Sequence, residues 1–492
     1  MTDISLCFEV HQPIRLKRGF FWEGHPLRKV RPGQLMDFYF DEAENRRIFD
    51  RISSKCYLPT NQIILDEINR FENAEKSFKV AYSFSGIFMD QCKRYQPGVL
   101  DSFIDLIDTG NAEVMEQTYY HSLAGLYEEK QEFFDEVKMH RELIWDIFGL
   151  RPTTFENTEL LYNDQIARMV ESLGYKAIFA EGTIADPNYV YRPSDTQLSL
   201  LLRNYQLTDD IGFRFSATWW EEYPLTADKF SRWLAATPGK CINLFCDYET
   251  FGEHQWPETG IFEFLKALPG EILKQETLSF ATPSEIATKH KPVKELSVPK
   301  AISWADMERD TSCWLGNALQ WACFTYEKRL EPPVKESRDH ELLEVWRILG
   351  LSDHLYYMFT WGGGAGEVHS YFSPYSNAYD AAVTFFSVLS DFHFRLKERI
   401  KLADAPFSFA VGIDQPIGEM VWSLEGLHRA LSMVSIESIE YHSKNGDMAN
   451  WARTSLGDDR FADQLDSLGD LRGEGLRKRL LKIIETNLKE RK

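Results

Sequence analysis

The sequence lacks the long apolar runs that membrane proteins carry. No stretch of 18 apolar residues occurs among its 492 residues, although 43% of the chain is hydrophobic. The first residues, MTDISLCFEVHQP, also lack the positively charged segment and apolar stretch of a secretory signal peptide. The sequence therefore predicts neither a membrane span nor a secretory leader.

Cysteine is scarce and shows no pattern. The seven cysteines are odd in number, and no two of them form a Cys-x-x-Cys pair. A small disulfide-linked domain needs an even, regularly spaced set, so no disulfide framework is indicated. The pattern suits a reducing compartment, and we expect the protein to be cytoplasmic.

Positive charge is in deficit. The chain has 55 Lys and Arg against 75 Asp and Glu, which gives a formal net charge of −20. An acidic chain repels nucleic-acid phosphates, so we expect no nucleic-acid partner. The one basic stretch is the C-terminal GLRKRLLKIIETNLKERK, whose Leu and Ile residues fit one face of a helix. We expect this helix to dock on the protein, with membrane-surface binding as the alternative.

Several catalytic signatures are also missing. The 12 histidines form no HxH, HxxxH or HxxEH pattern, and neither a GxSxG elbow nor a P-loop occurs. A metal site assembled from His11, His121 and Asp247 is the competing chemistry. The sequence otherwise predicts no metal and no cofactor.

Short apolar runs alternate with helix-like stretches in the first part of the chain. The runs lie at residues 4–10, 79–85, 112–117, 153–158, 176–181, 213–218 and 242–247, with a further one at 278–282. Helical patterns lie between them, as at 132–149 and 163–175. Strands that alternate with helices form parallel β/α units, and this number of units predicts a closed or nearly closed barrel. A doubly wound open sheet is the competitor, but no glycine-rich phosphate turn follows any run.

Helical patterns dominate the second part of the chain. They lie at 313–330, 340–351 and 376–400, which indicates a helical bundle, and the glycine-rich segment 361–367 is predicted to bend close to a ligand. Further helices follow from about residue 415, one of them over 423–431 with Ser423 as its N-cap. We therefore predict a barrel domain over 1–295, a helical domain over 296–410 and a small C-terminal helical domain over 411–492.

Polar residues follow several of the predicted strands, where a β/α barrel places its active site. His11 follows the first strand, His121 the third and Glu159 the fourth, while Asp247 and Glu249 close the strand INLFCDYE. Glycoside hydrolysis needs two carboxyl groups beside the scissile bond, one to donate a proton and one, in retaining enzymes, to attack. Glu159 and Asp247 fit this pair, and the two histidines are placed to hydrogen-bond sugar hydroxyls.

Each of these residues also has an ordinary structural explanation. Glu159 fits the first turn of a helix that begins near Leu160, and Asp247 fits an ion pair in a loop. Both histidines fit hydrogen-bonded positions at a barrel rim. The 13 Trp and the 14% aromatic content suit sugar stacking, but they suit core packing as well.

The order of the motifs resembles glycoside hydrolase family 57 and, within it, the archaeal-type α-amylases. The sequence HQP (11–13) matches the first family signature and EVMEQTYYHSL (113–123) the second. FENTELLY (155–162) matches the third, FCDYETFGEHQW (245–256) the fourth and TPSE (282–285) the fifth. Segments 302–320 and 352–375 extend the likeness, which covers about residues 1–400. FENT stands where many members have Trp-Leu, and this departure matches the amylase-like branch.

The resemblance implies a fold and a set of roles. The fold is α/β, a (β/α)7 barrel followed by a helical domain that contributes to the cleft. The implied nucleophile is Glu159, rather than Glu156, and the implied general acid/base is Asp247. The substrate contacts that we predict with them are His11, Gln12, His121, Glu249, Trp256, Asp353 and His354.

Three functions compete. The first is retaining hydrolysis of α-1,4-glucosidic bonds in glycogen- or starch-like glucans or malto-oligosaccharides. The alternative is a 4-α-glucanotransferase or glucan branching enzyme with the same two carboxylates. A protein that only binds glucan, or an enzyme on another glycoside, is the third. The retaining assignment predicts that the carboxyl groups of Glu159 and Asp247 lie about 5–5.5 Å apart and that the pKa of Asp247 is raised.

Overall fold

The structure, a computed structural model, describes residues 1–72, 74–360, 373–469 and 471–491. The predicted ligand loop at 361–367 lies outside these residues. The chain divides into two compact units. Unit 1 comprises Met1–Arg18, Phe40–Trp321 and Gly350–Ala382, and unit 2 comprises Gly19–Tyr39, Ala322–Leu349 and Val383–Lys492.

Unit 1 is built on a parallel sheet that nearly closes into a barrel. The strands of unit 1 are β1 (Thr2–Val10), β2 (Val80–Phe84), β3 (Ala112–Met115), β4 (Thr154–Phe155), β5 (Ala177–Glu181), β6 (Arg192–Pro193), β7 (Ser199–Arg203), β8 (Cys241–Asp247), β9 (Leu278–Phe280) and β10 (Glu295–Leu296). The strand order is β3-β2-β1-β8-β7-β5-β4, β9 pairs with β1, and β6 pairs with β10 in a separate ribbon. A parallel bridge between Glu116 and Phe155 connects the two outer strands. The predicted seven-stranded β/α barrel is confirmed.

One predicted strand is wrong. Residues 213–218 form turns, and Phe213, which ends a helix, is 42% exposed. The strand lies instead at β7, SLLLR, where all five residues are buried. A barrel strand is covered on both faces, so it reads as a continuous apolar run that is not distinguishable from a buried helix by pattern alone.

Successive side chains along β1 and β8 point alternately into the barrel and outward toward the helices. On β1, Phe8 packs in the outer core, between the sheet and the helices, whereas Cys7 packs in the core inside the barrel. Glu9, two residues after Cys7, is the next inward-facing position. On β8, Phe245 is inward and Asp247 follows two residues later. The register of the two strands sets Glu9 opposite Asp247. Two carboxyl groups therefore meet at the C-terminal end of the barrel.

The helices follow the sequence patterns closely. In chain order they are α1 (Leu35–Tyr39), α2 (Glu42–Ile52), α3 (Leu58–Arg70), α4 (Gly86–Tyr95), α5 (Pro97–Asp108), α6 (Gln131–Phe148), α7 (Asp164–Ser172), α8 (Tyr205–Gly212), α9 (Ala227–Ala236), α10 (Ile261–Leu273), α11 (Pro283–Lys289), α12 (Ser312–Leu315), α13 (Ala318–Ser337), α14 (His340–Leu349), α15 (Ser352–Tyr356), α16 (Ala378–Ile400), α17 (Leu424–Met433), α18 (Ile436–Asn445), α19 (Asp447–Thr454), α20 (Asp459–Asp466) and α21 (Gly473–Arg491). Polar side chains cap many N-termini, as Ser85 does by accepting from the Phe88 N–H. No helix in the described ranges has the length and hydrophobicity that a bilayer span requires.

The C-terminal part of unit 2 has a hydrophobic core of its own, formed by residues between Ala403 and Ile484. Ser423 caps α17 as predicted, since its hydroxyl accepts from the Gly426 N–H at 3.0 Å. The predicted terminal helix is α21, and its Leu476 and Leu480 are fully buried in this core. An antiparallel hairpin, β11 (Phe407–Ala410) with β12 (Pro416–Val421), was not predicted. The three-domain division of the chain stays a prediction.

Candidate active site

A cleft lies at the C-terminal ends of the barrel strands in unit 1. Its two sides share four bordering residues, which are Glu159, Asp247, His254 and Tyr356. What we call the His11 side is also bordered by Glu9, His11, Gln12, Pro13, Arg15, His121, Glu249, Asp353 and Tyr357. What we call the Arg203 side is also bordered by Arg203, Asp209, Phe213, Trp304, Met307 and Arg309, among others. The two carboxyl groups expected to carry the chemistry thus lie where the sides meet.

Glu159 is presented to the cleft by an unusual backbone. It lies in a single helical turn after β4 with φ 57° and ψ 29°, in the left-handed region that side chains disfavour by about 1–2 kcal/mol. The Trp304 indole N–H donates to Glu159 Oε2 at 2.6 Å, and His121 Nε2 lies 3.4 Å from Oε1. The Trp304 backbone N–H also donates to the Glu159 carbonyl at 3.3 Å. The Trp304 indole therefore holds one carboxylate oxygen, and a ring nitrogen of His121 faces the other.

Asp247, the last residue of β8, has the opposite environment. Burial raises the pKa of its carboxyl well above the usual value, and the negative charges of Glu159 and Glu249 raise it further. This setting favours the protonated form of the Asp247 carboxyl. A carboxyl group with a raised pKa beside a second carboxyl group is the pattern of an acid and a nucleophile in one site.

Two stacked histidines stand beside the carboxyl pair. The rings of His11 and His121 are 4.0 Å apart and nearly parallel. Burial, and then the charge of His121, lowers the pKa of His11 to about 4, so His11 is neutral. Its Nδ1 accepts from the Ser85 hydroxyl at 2.7 Å, and its Nε2–H donates to Asp353 at 3.0 Å. Burial alone would lower the pKa of His121, but the hydrogen bond to Glu159 and the charge of Glu159 leave it raised.

Glu249 is a buried carboxyl group that borders the His11 side. The Tyr57 hydroxyl donates to its carboxyl, and Gln12 Nε2 donates to the same oxygen at 3.4 Å. Burial raises the pKa of Glu249 to about 7. The Gln12 carbonyl in turn accepts from Gln91 at 2.5 Å, which fixes the segment after β1.

Comparison with known sequences identifies the relatives of this chain. Residues 5–299 match the profile of glycosyl hydrolase family 57. The chain belongs to glycosyl hydrolase family 57. A Methanocaldococcus jannaschii protein named "Putative alpha-amylase" is 43% identical over 410 residues, which are 80% of this chain and 85% of that protein.

Solved structures of family 57 enzymes share the fold. The branching enzyme of Thermococcus kodakaraensis has a TM-score of 0.55 at 14% identity, over 81% of this chain and 94% of that one. The branching enzyme of Pyrococcus horikoshii has a TM-score of 0.54 at 12% identity, over the same shares. The 4-alpha-glucanotransferase of Thermococcus litoralis has a TM-score of 0.50 at 16% identity, over 85% of this chain and 63% of that one.

Most of the predicted site residues of this family 57 chain border the cleft, but two do not. Trp256 is 51% exposed, and the Lys55 ammonium lies 5.3 Å over its ring. His354 is buried next to Asp353. Neither is among the described residues that border the cleft, so their contacts with substrate stay predictions.

Several residues at or near the site were given no role by the sequence analysis. Glu9 is buried among inward apolar positions of β1, and its Oε1 lies 3.3 Å from His121 Nδ1. Glu156 is fully buried and accepts from the Ser83 hydroxyl at 2.8 Å. Burial raises the pKa of Glu156 to about 8 and that of Glu9 well above its usual value. The signal that could have identified Glu9 is the presence of a glutamate inside an apolar strand. Trp304 lay in a family-like segment, 302–320, without any signal of its contact.

The sequence left open a metal site made of His11, His121 and Asp247. Within the part of the chain that the structure describes, no three His, Cys, Asp or Glu side chains are arranged to hold one metal ion. His11 and His121 are instead engaged with Ser85, Asp353 and Glu159. Metal independence stays a prediction that a chelator tests directly.

Proposed function

We propose that the protein is a retaining hydrolase of α-1,4-glucosidic bonds in glycogen- or starch-like glucans and malto-oligosaccharides. Membership of family 57 and the likeness to a protein named as an alpha-amylase support this substrate class. One observation carries the mechanism. The Trp304 indole N–H donates to Glu159, and burial raises the pKa of Asp247, with which Glu159 shares the cleft.

In the first step Asp247 acts as the acid. Its protonated carboxyl donates to the glycosidic oxygen while the bond from that oxygen to the anomeric carbon breaks. The ionised Glu159 attacks the anomeric carbon from the opposite face and forms an ester with it. The leaving glucan takes the proton of Asp247 as a new hydroxyl.

In the second step Asp247 acts as the base. Its carboxylate takes a proton from water as the water oxygen attacks the anomeric carbon. The ester bond to Glu159 breaks, Glu159 leaves as a carboxylate, and the sugar keeps its α configuration. Both carboxyl groups then have their starting protonation states.

The polar groups of the His11 side supply the substrate contacts in this proposal. His11, Gln12, Glu249 and Asp353 border that side and bear donors and acceptors that suit sugar hydroxyls. We propose that His121 also contacts the sugar bound above Glu159. Trp256 and His354 belong to the same proposed set, although they lie away from the described lining.

A cytoplasmic location is part of the proposal. All seven cysteines are free and buried, so no disulfide stabilises the described structure. This state suits a reducing compartment.

Incubation with maltoheptaose in the presence of EDTA tests the proposal. We expect new reducing ends and shortened products, and we expect Glu159→Gln to abolish them. Glu116→Gln is the matched control, because Glu116 is a buried glutamate just after β3 that hydrogen-bonds His140 outside the cleft lining. Redistributed chain lengths at constant reducing ends would instead indicate a glucanotransferase that uses the same pair. Full activity of Glu159→Gln would refute the assigned nucleophile.

A further inference from the structure

Four charged side chains form a closed ring on the Arg203 side of the cleft. Arg203 donates to Glu181 at 3.1 Å and to Asp209 at 2.6 Å. Arg309 donates to the same two carboxylates, and its bond to Asp209 is 2.8 Å long. Each arginine thus donates to both carboxylates, and each carboxylate accepts from both arginines. We call these four residues the charge ring.

The charge ring joins separate parts of the barrel rim. Glu181 ends β5, Arg203 ends β7, and Asp209 lies in α8. Arg309 comes from the segment that follows Trp304, where Asp306 and Arg309 have positive φ values of 53° and 54°. Such a segment is strained and keeps its shape only where its surroundings hold it.

Stability is a weak explanation for the charge ring. The side chains are 0% exposed at Glu181, 5% at Arg203, 10% at Asp209 and 17% at Arg309. Removing such charges from water offsets much of their attraction, so a buried ion-pair network contributes little net stability compared with apolar packing. Its more specific effect is to fix the positions of the groups that it joins.

Trp304 is the group next to the charge ring. The Arg203 guanidinium lies 5.5 Å over the indole ring, and Arg309 donates to the Trp304 carbonyl at 3.4 Å. The Ser303 N–H donates to the Arg309 carbonyl at 3.1 Å, which closes the segment into a loop. On its other side the Trp304 indole N–H donates to Glu159 Oε2 at 2.6 Å. The contacts form a continuous path from the charge ring to the proposed nucleophile.

We infer that the charge ring positions Trp304 and, through the indole N–H, fixes the orientation of the Glu159 carboxylate. This inference rests on the proposed role of Glu159. Arg203 and Arg309 are positioning residues in this account. Their guanidinium groups are planar forks that hold two carboxylates at fixed angles, which a lysine cannot do.

The test compares pH–rate profiles of three single variants and one double variant. Trp304→Phe removes the donor that stabilises ionised Glu159, so the acid limb of kcat/KM moves to higher pH. We expect Arg309→Ala to move the acid limb in the same direction and to lower kcat by up to about 100-fold, as misplaced catalytic groups do. Because both changes act through one hydrogen bond, the double variant should lose little more than Trp304→Phe alone. Arg309→Lys should give an intermediate loss.

Arg477→Ala is the matched control. Arg477 is 15% exposed and pairs with Glu474 in α21, far along the chain from the charge ring. Its variant should keep the wild-type pH profile even if its melting temperature falls. A merely structural role for Arg309 would give the same result as this control.

A crystal structure of Arg309→Ala, or of Arg309→Lys if the first variant does not fold, completes the test. Loss of the bond from Trp304 Nε1 to Glu159 Oε2 supports the inference. Retention of that bond, or losses that multiply in the double variant, overturns it. These outcomes are distinct from failure of the proposed function, which shows as activity in Glu159→Gln.

Discussion

Four carboxyl groups, those of Glu9, Glu156, Glu159 and Asp247, surround His121 at the C-terminal end of the barrel. Burial raises the pKa of Glu9, Glu156 and Asp247, and Glu159 differs from them in accepting a hydrogen bond from the Trp304 indole N–H. Like charges in one enclosed space disfavour one another, so these carboxyl groups do not all ionise together. The chemistry of this site is therefore set by the surroundings of each carboxyl group and not by its residue type.

The first prediction concerns the acid. Asp247→Asn should lower kcat/KM for maltoheptaose by about 100-fold or more, because the leaving oxygen loses its proton donor. A 2,4-dinitrophenyl maltoside should suffer a much smaller loss in kcat/KM, since its leaving group needs no proton. The alkaline limb of the pH profile, along which activity falls as Asp247 ionises, should vanish in the variant. Equal losses on both substrates would contradict the acid role.

The second prediction concerns stability and pH. Burial raises the pKa of Glu156 to about 8 in the folded protein, so its contribution to stability is fully present below the unfolded value and is lost as pH rises through 8. The side chain of Glu156→Gln does not ionise, so the variant has no such loss. We expect the melting temperature of the variant minus that of wild type to increase as pH rises from 5 to 8. Thermal melts across that range check this. A difference that is independent of pH would contradict the raised pKa.

The sequence predicted the polar groups of the site better than the groups that support them. His11, His121, Glu159 and Asp247 follow strands and border the cleft, and that position could be inferred from pattern alone. Trp304 lies 145 residues beyond Glu159, and such a contact leaves no local signal. Buried polar partners such as Ser83 are invisible for the same reason.

At the scale of elements, the apolar pattern located most of the barrel strands but missed β7. β1 and β8 alternate in a way that points Glu9 and Asp247 inward, whereas β7 has three consecutive leucines before Arg203. Because β7 supplies Arg203, a prediction that misses this strand also misses the charge ring to which Arg203 belongs. The hairpin of β11 and β12 escaped because most of β12 is exposed and lacks an apolar face.

The third prediction is about helix caps. Ser423 accepts from the Gly426 N–H at the start of α17 and also donates to Glu336, whereas Ser435 at the start of α18 accepts only a 3.3 Å bond from the Ser438 N–H. Ser423→Ala should cost about 1–2 kcal/mol in the free energy of unfolding, and Ser435→Ala less. Urea unfolding measures both. Equal losses in the two variants, or a larger loss in Ser435→Ala, would show that these caps do not act as described.

At the scale of the whole molecule, the chain combines a barrel that bears the site with a C-terminal region that has its own core. Among the described residues, the buried members of that core all lie between Ala403 and Ile484. A fragment of residues 401–492 should therefore fold by itself and melt cooperatively, since a region of this length buries enough apolar surface to be stable. Circular dichroism checks this fourth prediction. A helical signal that fades gradually on heating would contradict it.

The central claim is that Glu159 forms a covalent bond with the sugar, while Asp247 donates a proton in the first step and accepts one in the second. The most direct measurement is to incubate the protein with a 5-fluoro-α-glucosyl fluoride, which slows the second step more than the first, and to map the labelled peptide by mass spectrometry. The account predicts a fluoroglucosyl ester on Glu159 and none in Glu159→Gln. A label on another carboxyl group, or turnover of maltoheptaose with inverted products and no label, would contradict it.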